Sequence, residues 1–436
     1  MKMTDIKTVY NERVDAKAYR IKHKSGLVIY VMEMSGYTGT SAMFGTKYGS
    51  VNTTFRTKYD DGFITVPEGI AHFLEHKLFE NEDCDVFKLF AKTGAHDNAY
   101  TSFDSTVYYF DCTDNFTDSL EILLDFVQKP YFTQETVDKE QGIIGQEIKM
   151  CEDNPYRRVY FNLLQAVYKN HPVRYEIAGT SNSIAKIDAD LLYRCYNTFY
   201  NLNNMVLAVA GNCSVNDVLA VCDKMLAPCE DIGLECISPD EPKSVATKKV
   251  TQTMSVGIPI FAIGFKADSS YGIQRLKDEY ISAFLLSLIF GQTSQFYFNN
   301  SLTGLINSSL ESETLSGDGY FVNILTGESH DPEKLSQLVR AEIEKVLSNG
   351  IDEKMFEMQK RSRYGSFVRS FNSVSGCCSR LLETHIAGCG PFDSADVLSQ
   401  LTLSDLNEGI KKFLCPERMA VSIIYPEHFS KGDNND

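Results

Sequence analysis

Tryptophan is absent from the chain, and the twelve cysteines include no CxxC pair. Basic residues are in deficit: 42 Lys and Arg face 58 Asp and Glu, a formal net charge of -16. That deficit excludes a general nucleic-acid binder, which needs a basic footprint. An acidic surface repels phosphates and anionic lipid and favours cationic ligands or basic peptide segments. An average of this kind leaves room for a local basic patch. No run of 18 or more apolar residues occurs, so no membrane span is expected. Residues 1–24 are charged throughout and lack the apolar core of a secretory signal. The cysteines therefore read as free thiols in a reducing compartment, and the expected location is cytoplasmic. Cys222, Cys229 and Cys236 recur every seven residues. They read as small buried residues and a linker, not as a metal site.

What is present is ordinary globular material. Hydrophobic residues make up 43% of the 436 and charged residues 23%, which excludes a disordered chain, a collagen-like chain and a disulfide scaffold. Residues 25–34 (SGLVIYVMEM) and 41–51 (SAMFGTKYGSV) read as strands separated by a Gly-containing turn. A helix near 69–80 follows, then a strand pair over 94–111. Helical periodicity covers 117–128, 134–151, 158–170 and 189–199, and the strand 205–210 ends at Gly211. Three prolines, many acids and no apolar period mark 227–247 as a linker. The second half opens with strand-like 250–265. Helix 278–290, strand 319–326, helices 332–347, 353–370 and 403–413, and strand 419–425 complete it.

The two halves end alike. Asp190-Leu191 precedes Phe199, which lies six residues before Met205 and its strand; Asp405-Leu406 precedes Phe413, six residues before Met419 and its strand. With the matched openings, this predicts an internal duplication. The expected fold is α+β: two duplicated halves, 1–226 and 248–436, joined by the linker 227–247. Each half is a mainly antiparallel sheet covered on one face by helices.

The chemistry concentrates in the first half. In Gly69-Ile-Ala-His72-Phe-Leu-Glu75-His76-Lys-Leu-Phe79 the two histidines are four apart. On a helix both imidazoles project from one face and can grip one Zn²⁺. Glu75 sits beside that face, where it reaches a water without being a ligand. This is the inverted HxxEH order of a zinc-peptidase helix. A catalytic zinc needs a third protein ligand and an open position. Glu140 and Glu147, seven apart in a helical segment, share a face. One carboxylate would bind the metal while the other orients a histidine or a substrate amine.

HxxEH followed some seventy residues later by ExxxxxxE on a helix resembles the pitrilysin/insulinase-type metallopeptidases, the inverzincins. Other features look similar along nearly the whole chain: Gly94 with Asn98-Ala99, Asp153-Asn154-Pro155, Asn170-His171-Pro172 with Gly179, and Asp331 to Leu335. Size and texture are closest to the bacterial branch that resembles mitochondrial processing-peptidase subunits. The resemblance implies a LuxS/processing-peptidase-like fold, one Zn²⁺ per chain, His72, His76 and Glu147 as its ligands, Glu75 as general base and Glu140 as the supporting second acid. It also implies that the strand with Asn98 and Ala99 contacts substrate. There an extended peptide would add as an extra strand.

One departure stands out. Some members of that family complete the site with an Arg and a Tyr, seven apart, from the second half; this chain has Ser301 and Ser308 there. His96 or Tyr320 would then be asked to supply the oxyanion donor, or a partner chain would. The function expected is a zinc-dependent endopeptidase acting on peptides or unfolded polypeptide inside a dimeric clamshell, as a homodimer or with a related chain, without nucleic acid or membrane. The alternatives are a weakly active binding or scaffold subunit of the same fold, and a dedicated maturation factor in a modification pathway.

Overall fold

A computed structural model describes residues 4–80, 82, 86–307 and 310–427. The chain begins with strands β1 (Asp5–Asn11), β2 (Ala16–Lys22), β3 (Val28–Glu33), β4 (Thr40–Thr46), β5 (Thr54–Arg56) and β6 (Ile64–Thr65). Helices α1 (Ile70–Leu78) and α2 (Val86–Thr93) lead to the hairpin β7 (His96–Thr101) and β8 (Thr106–Cys112). Helices α3 (Phe116–Val127), α4 (Gln134–Asp153), α5 (Pro155–Val167), α6 (Ser181–Ile184) and α7 (Ala189–Phe199) precede β9 (Met205–Gly211). After α8 (Val215–Met225) come β10 (Glu235–Cys236), β11 (Lys249–Met254) and β12 (Ile260–Lys266). Helices α9 (Gly272–Phe290) and α10 (Gln295–Leu302) lead to β13 (Glu311–Gly317) and β14 (Tyr320–Glu328). Helices α11 (Pro332–Asn349), α12 (Glu353–Ser370), α13 (Val374–Ile386), α14 (Asp393–Gln400) and α15 (Leu403–Phe413) precede the closing strand β15 (Met419–Pro426).

Two compact units form, and each is discontinuous in sequence. The first holds Met1–Ile148, Glu176–Ser238 and Tyr364–Asp396; the second holds Lys149–Tyr175, Pro239–Arg363 and Val397–Asp436. One boundary, between Ser238 and Pro239, falls inside 227–247, while Lys149–Tyr175 of the first half and Tyr364–Asp396 of the second belong to the other unit.

The duplication is legible in the strand order. The first sheet runs β1-β2-β3-β9-β4-β8-β7 and the second β11-β15-β12-β14-β13. Without β1 and β2 the two orders correspond strand for strand. In each, one parallel pair joins the first and last strands, β3 with β9 and β11 with β15; all other pairs of the shared sheet are antiparallel. The central strands β4, β9 and β12 are buried along their whole length, as strands covered on both faces must be.

Helices cover one face of each sheet, as expected. In the first unit Phe73, Leu74, Leu120, Leu124 and Phe199 pack there in the main core. The structure adds a single helix on the opposite face. In the first unit it is α13, whose Cys377, Cys378, Leu381 and Leu382 pack on Tyr30, Met43 and Ala208. In the second unit it is α5, against β12 and β15. Two glycines at equivalent register admit these helices: Gly45 pairs with Val206 beside Thr46–Met205, and Gly264 with Ala420 beside Phe265–Met419. A Cβ on Gly45 would lie 3.0 Å from Leu382, and one on Gly264 3.1 Å from Leu163. Each covering helix comes from the opposite half of the sequence.

Local differences from the sequence reading have physical causes. The stretch 250–265 is two strands, broken by residues 255–259. The edge strands β1 and β13 are polar and mostly exposed, so neither carries an apolar signal. The segment Gly272–Leu302 is long and apolar enough to cross a membrane by composition, yet half of its most apolar window is buried inside the unit. Cys222 is buried in α8 while Cys236 is exposed in β10, and among the described residues no metal-binding group includes them.

Candidate functional site

Helix α1 has only nine residues, too short to be stable alone, so packing fixes it. Its start is set by two crossing glycines. Gly69 (φ +91°) and Gly179 (φ +76°) are both left-handed; a Cβ on the first would lie 2.5 Å from the Ala178 carbonyl oxygen, and one on the second 2.5 Å from that of Glu68. Only glycine allows that approach without strain. Ile70, Phe73, Leu74 and Leu78 are buried. That anchorage leaves His72, Glu75 and His76 together on the remaining side.

Helix α4 brings the carboxylates. Val137, Ile144 and Ile148 anchor it in the core. The Gln141 amide donates to the carbonyls of Ile184 and Ile187 at 3.3 and 2.9 Å, fixing its rotation. Glu147 then lies between the imidazoles: its oxygens are 3.6 Å from His72 Nε2 and 3.7 Å from His76 Nε2. All three donor atoms lie within 4.8 Å of one another. These separations are longer than hydrogen bonds. Two ligands of a tetrahedral zinc, each about 2.0–2.1 Å from the ion, lie about 3.4 Å apart. The two histidine–carboxylate separations exceed that value by only a few tenths of an ångström, so the donor set fits such an ion.

Glu140 does something different. It is 5% exposed, and its Oε1 accepts from His76 Nδ1 at 3.0 Å. That bond places the His76 proton on Nδ1 and leaves Nε2 with a lone pair aimed away from Glu140. Burial by itself disfavours the imidazolium. The Glu140 hydrogen bond and the charges of Glu75, Glu140 and Glu147 outweigh it and raise the His76 pKa. Glu75 accepts a hydrogen bond from Thr101 Oγ1 at 2.7 Å. Burial raises its pKa, against the pull of Thr101 and His76 and with a push from Glu147. Thr101 was not singled out by the sequence. It lies two residues beyond Ala99, so strand alternation was the available signal.

Strand β7 is an edge of its sheet. Asn98 and Ala99 sit in it opposite Tyr109 and Tyr108. The Ala99 N–H donates to the Asn98 side-chain oxygen at 2.8 Å, so this donor is occupied by its own neighbour. His96 opens the strand and is exposed. Tyr320 is 2% exposed and its ring lies against His171, centroids 5.1 Å apart, which makes it a core residue of the second unit. It is therefore not an accessible oxyanion donor. Ser301, next to last in α10, donates to the Phe298 carbonyl at 3.0 Å. Ser308 lies outside the described residues.

The duplicated fold supplies an internal comparison. In the second unit the counterparts of α1, β7 and α4 by chain order are α9, β13 and α12. They line a cavity of about 400 Å³ with Glu279, Tyr280, Ala283, Glu313 and Arg363. No histidine or cysteine lines it, so this position offers no comparable donor set.

Residues 66–181 match the insulinase family (peptidase family M16), and residues 186–363 match the M16 inactive domain. Over 97% of its length the chain is 35% identical to the whole of an uncharacterized zinc protease, YmfH, of Bacillus subtilis. A putative M16-like peptidase from Alicyclobacillus acidocaldarius superposes with a TM-score of 0.89 at 33% identity, covering 98% of this chain and 99% of that one. The beta subunit of the Caenorhabditis elegans mitochondrial-processing peptidase is 33% identical over 166 residues, 36% of this chain and 35% of that protein. The catalytic-type helix, the degenerate second copy and these likenesses agree: the chain belongs to the insulinase family of zinc peptidases, M16.

Proposed function

We propose that this chain is a zinc-dependent endopeptidase that hydrolyses peptides or extended polypeptide segments. The observation that carries the reading is the convergence of His72, His76 and Glu147 with Glu75 held alongside by Thr101. In it, His72, His76 and Glu147 hold the ion, and Glu140 orients His76 through Nδ1. Bound there, zinc would supply Lewis-acid polarisation of the scissile carbonyl and activation of a water. Glu75 takes the proton of the attacking water and later passes it to the leaving amine. Its raised pKa makes the Glu75 carboxylate a stronger base for the first of these transfers. A substrate segment lies along the free edge of β7, taking over the Ala99 N–H from Asn98.

The chain acts in this reading as one half of a dimeric chamber, with a second copy or a related chain. Support comes from its single duplicated pair and from its likeness to a protein named as a subunit. A partner would also bring the oxyanion donor that Ser301 does not offer. The eleven described cysteines are unbridged, which supports a reducing, cytoplasmic setting. The same serine favours a second reading, a binding subunit of the same fold with negligible turnover.

Digestion of a peptide library by the zinc-loaded protein, with a chelator control and mass-spectrometric readout, separates the two. Chelator-sensitive internal cleavage that disappears in Glu75→Gln is expected. Absence of cleavage at every protein concentration would leave only the binding subunit. Light scattering on the same sample tests the dimer: a particle of 49.0 kDa alone would refute the self-associated form.

A further inference from the structure

The chain is acidic overall, yet one cavity of the first unit brings Arg20 and Lys47 together. It measures about 510 Å³. That size suits a small ligand. Its floor is the β1–β3 corner of the sheet, and its wall is the turn 388–393 that follows α13. Arg20 on β2 pairs in register with Tyr30 on β3, so both project from the same side. Arg20 Nε donates to the Tyr30 hydroxyl at 3.2 Å. Among the described residues no carboxylate lies within ion-pair distance of this guanidinium, and no hydrogen bond engages its Nη groups. Those two groups form the planar fork that matches an oxyanion.

Lys47 and His385 line the same cavity. The Tyr30 hydroxyl lies 3.4 Å from His385 Nδ1. Burial, with Lys47 and Arg20 adding to it, pushes the His385 pKa down to about 3. The imidazole is therefore neutral, and the charges of Lys47 and Arg20 both act on it. Two acids, Asp393 and Asp396, line the same cavity. Asp393 accepts from the Gly390 N–H at 2.7 Å, and Asp396 lies 3.5 Å from Arg13 Nε outside the lining. Val9, Pro391 and Phe392 give the wall an apolar part, beside Tyr10 and Asn11.

We propose that this pocket binds an oxyanion, a carboxylate or a phosphate monoester, carried on a small apolar body. Arg20 provides the fork and Lys47 the second positive charge, while Tyr30 holds the guanidinium in place and the apolar wall receives the body. No residue of α1 or α4 lines the pocket, so the proposal stands apart from the zinc reading. The two sources of such a group are the C-terminus of a peptide and a phosphorylated small molecule.

The test is calorimetry on the full chain with 3-phenylpropionate, its uncharged amide and phenyl phosphate, before and after metal removal. None of these probes contains a peptide bond. The acid or the phosphate is expected to bind about tenfold or more tightly than the amide, with no change on metal removal. Arg20→Met and Lys47→Met should each weaken that binding by about tenfold, with thermal melting to check folding. Tighter binding of the acid points to a peptide C-terminus, and tighter binding of phenyl phosphate to the small molecule. No binding at about 10 mM, equal binding of acid and amide, or loss of the signal on metal removal would overturn the proposal. So would unchanged affinity in Lys47→Met, the variant that decides if Arg20→Met does not fold.

Discussion

Removing the Glu140 carboxylate tests how the imidazole beside it is controlled. Glu140 is buried and accepts from His76 Nδ1 at 3.0 Å, while the opposite nitrogen of the same ring faces Glu147 at 3.7 Å. In Glu140→Ala the ring loses its orienting partner, and the buried Nδ1–H loses its acceptor. Loss of a hydrogen bond to a charged group costs about 1.5–3 kcal/mol. If that cost appears in metal binding, zinc affinity falls by about 10–100-fold, the usual range for a group that orients a ligand. Glu140→Gln keeps an acceptor oxygen at the same place and loses only the charge, so it should fall between the parent and the alanine variant. Competition with a chromophoric chelator at fixed pH measures all three. Glu147→Ala, which removes a donor atom, should lose more than either. Zinc affinity unchanged in Glu140→Ala, or lower there than in Glu147→Ala, would refute this division of labour.

Glu75→Gln is expected to retain zinc at the parental stoichiometry while hydrolysis falls by about 10²–10⁴-fold, read from elemental analysis and peptide cleavage together. Gly142 is an exposed mid-helix residue of α4 with open space where a Cβ would be. Gly142→Ala should therefore stabilise the protein by about 0.5–1 kcal/mol in denaturant unfolding, and destabilisation would mean that α4 departs from a regular helix there. Leu382 is fully buried against the sheet. Leu382→Ala should cost about 2–5 kcal/mol, and a loss below about 1 kcal/mol would show that α13 does not cover that face in solution. His385 is a depressed group: its folded pKa is about 3, against about 6.5 unfolded. Its contribution is complete above pH ~6.5 and declines as pH falls toward ~3, because the unfolded state takes up the proton first. The slope approaches about 1.4 kcal/mol per pH unit. His385→Gln should flatten the stability profile between pH ~6 and ~4; an unchanged profile would refute the assignment.

The sequence by itself determined everything that depends on neighbours along a helix or strand. The four-residue spacing of His72 and His76 puts both rings on one side of any helix they occupy, and the matched Phe–Met intervals before β9 and β15 reveal two copies of one layered motif. Polar edges such as β1 and β13 were not legible, because a half-solvated edge strand needs no apolar alternation. Helix α13 also went unseen, as did its place on the opposite face of a sheet from the other half of the chain. The periodicity of a helix says that it has a buried side but not which surface buries it. Helical spacing likewise leaves Glu140 and Glu147 equivalent, being two turns apart on one face. Only the packing of α4, turned by Val137 and Gln141, sets the first against His76 Nδ1 and the second between two Nε2 atoms. Local covalent geometry decides which residues share a side; distances of a few ångströms between elements some seventy residues apart exist only once the core has closed.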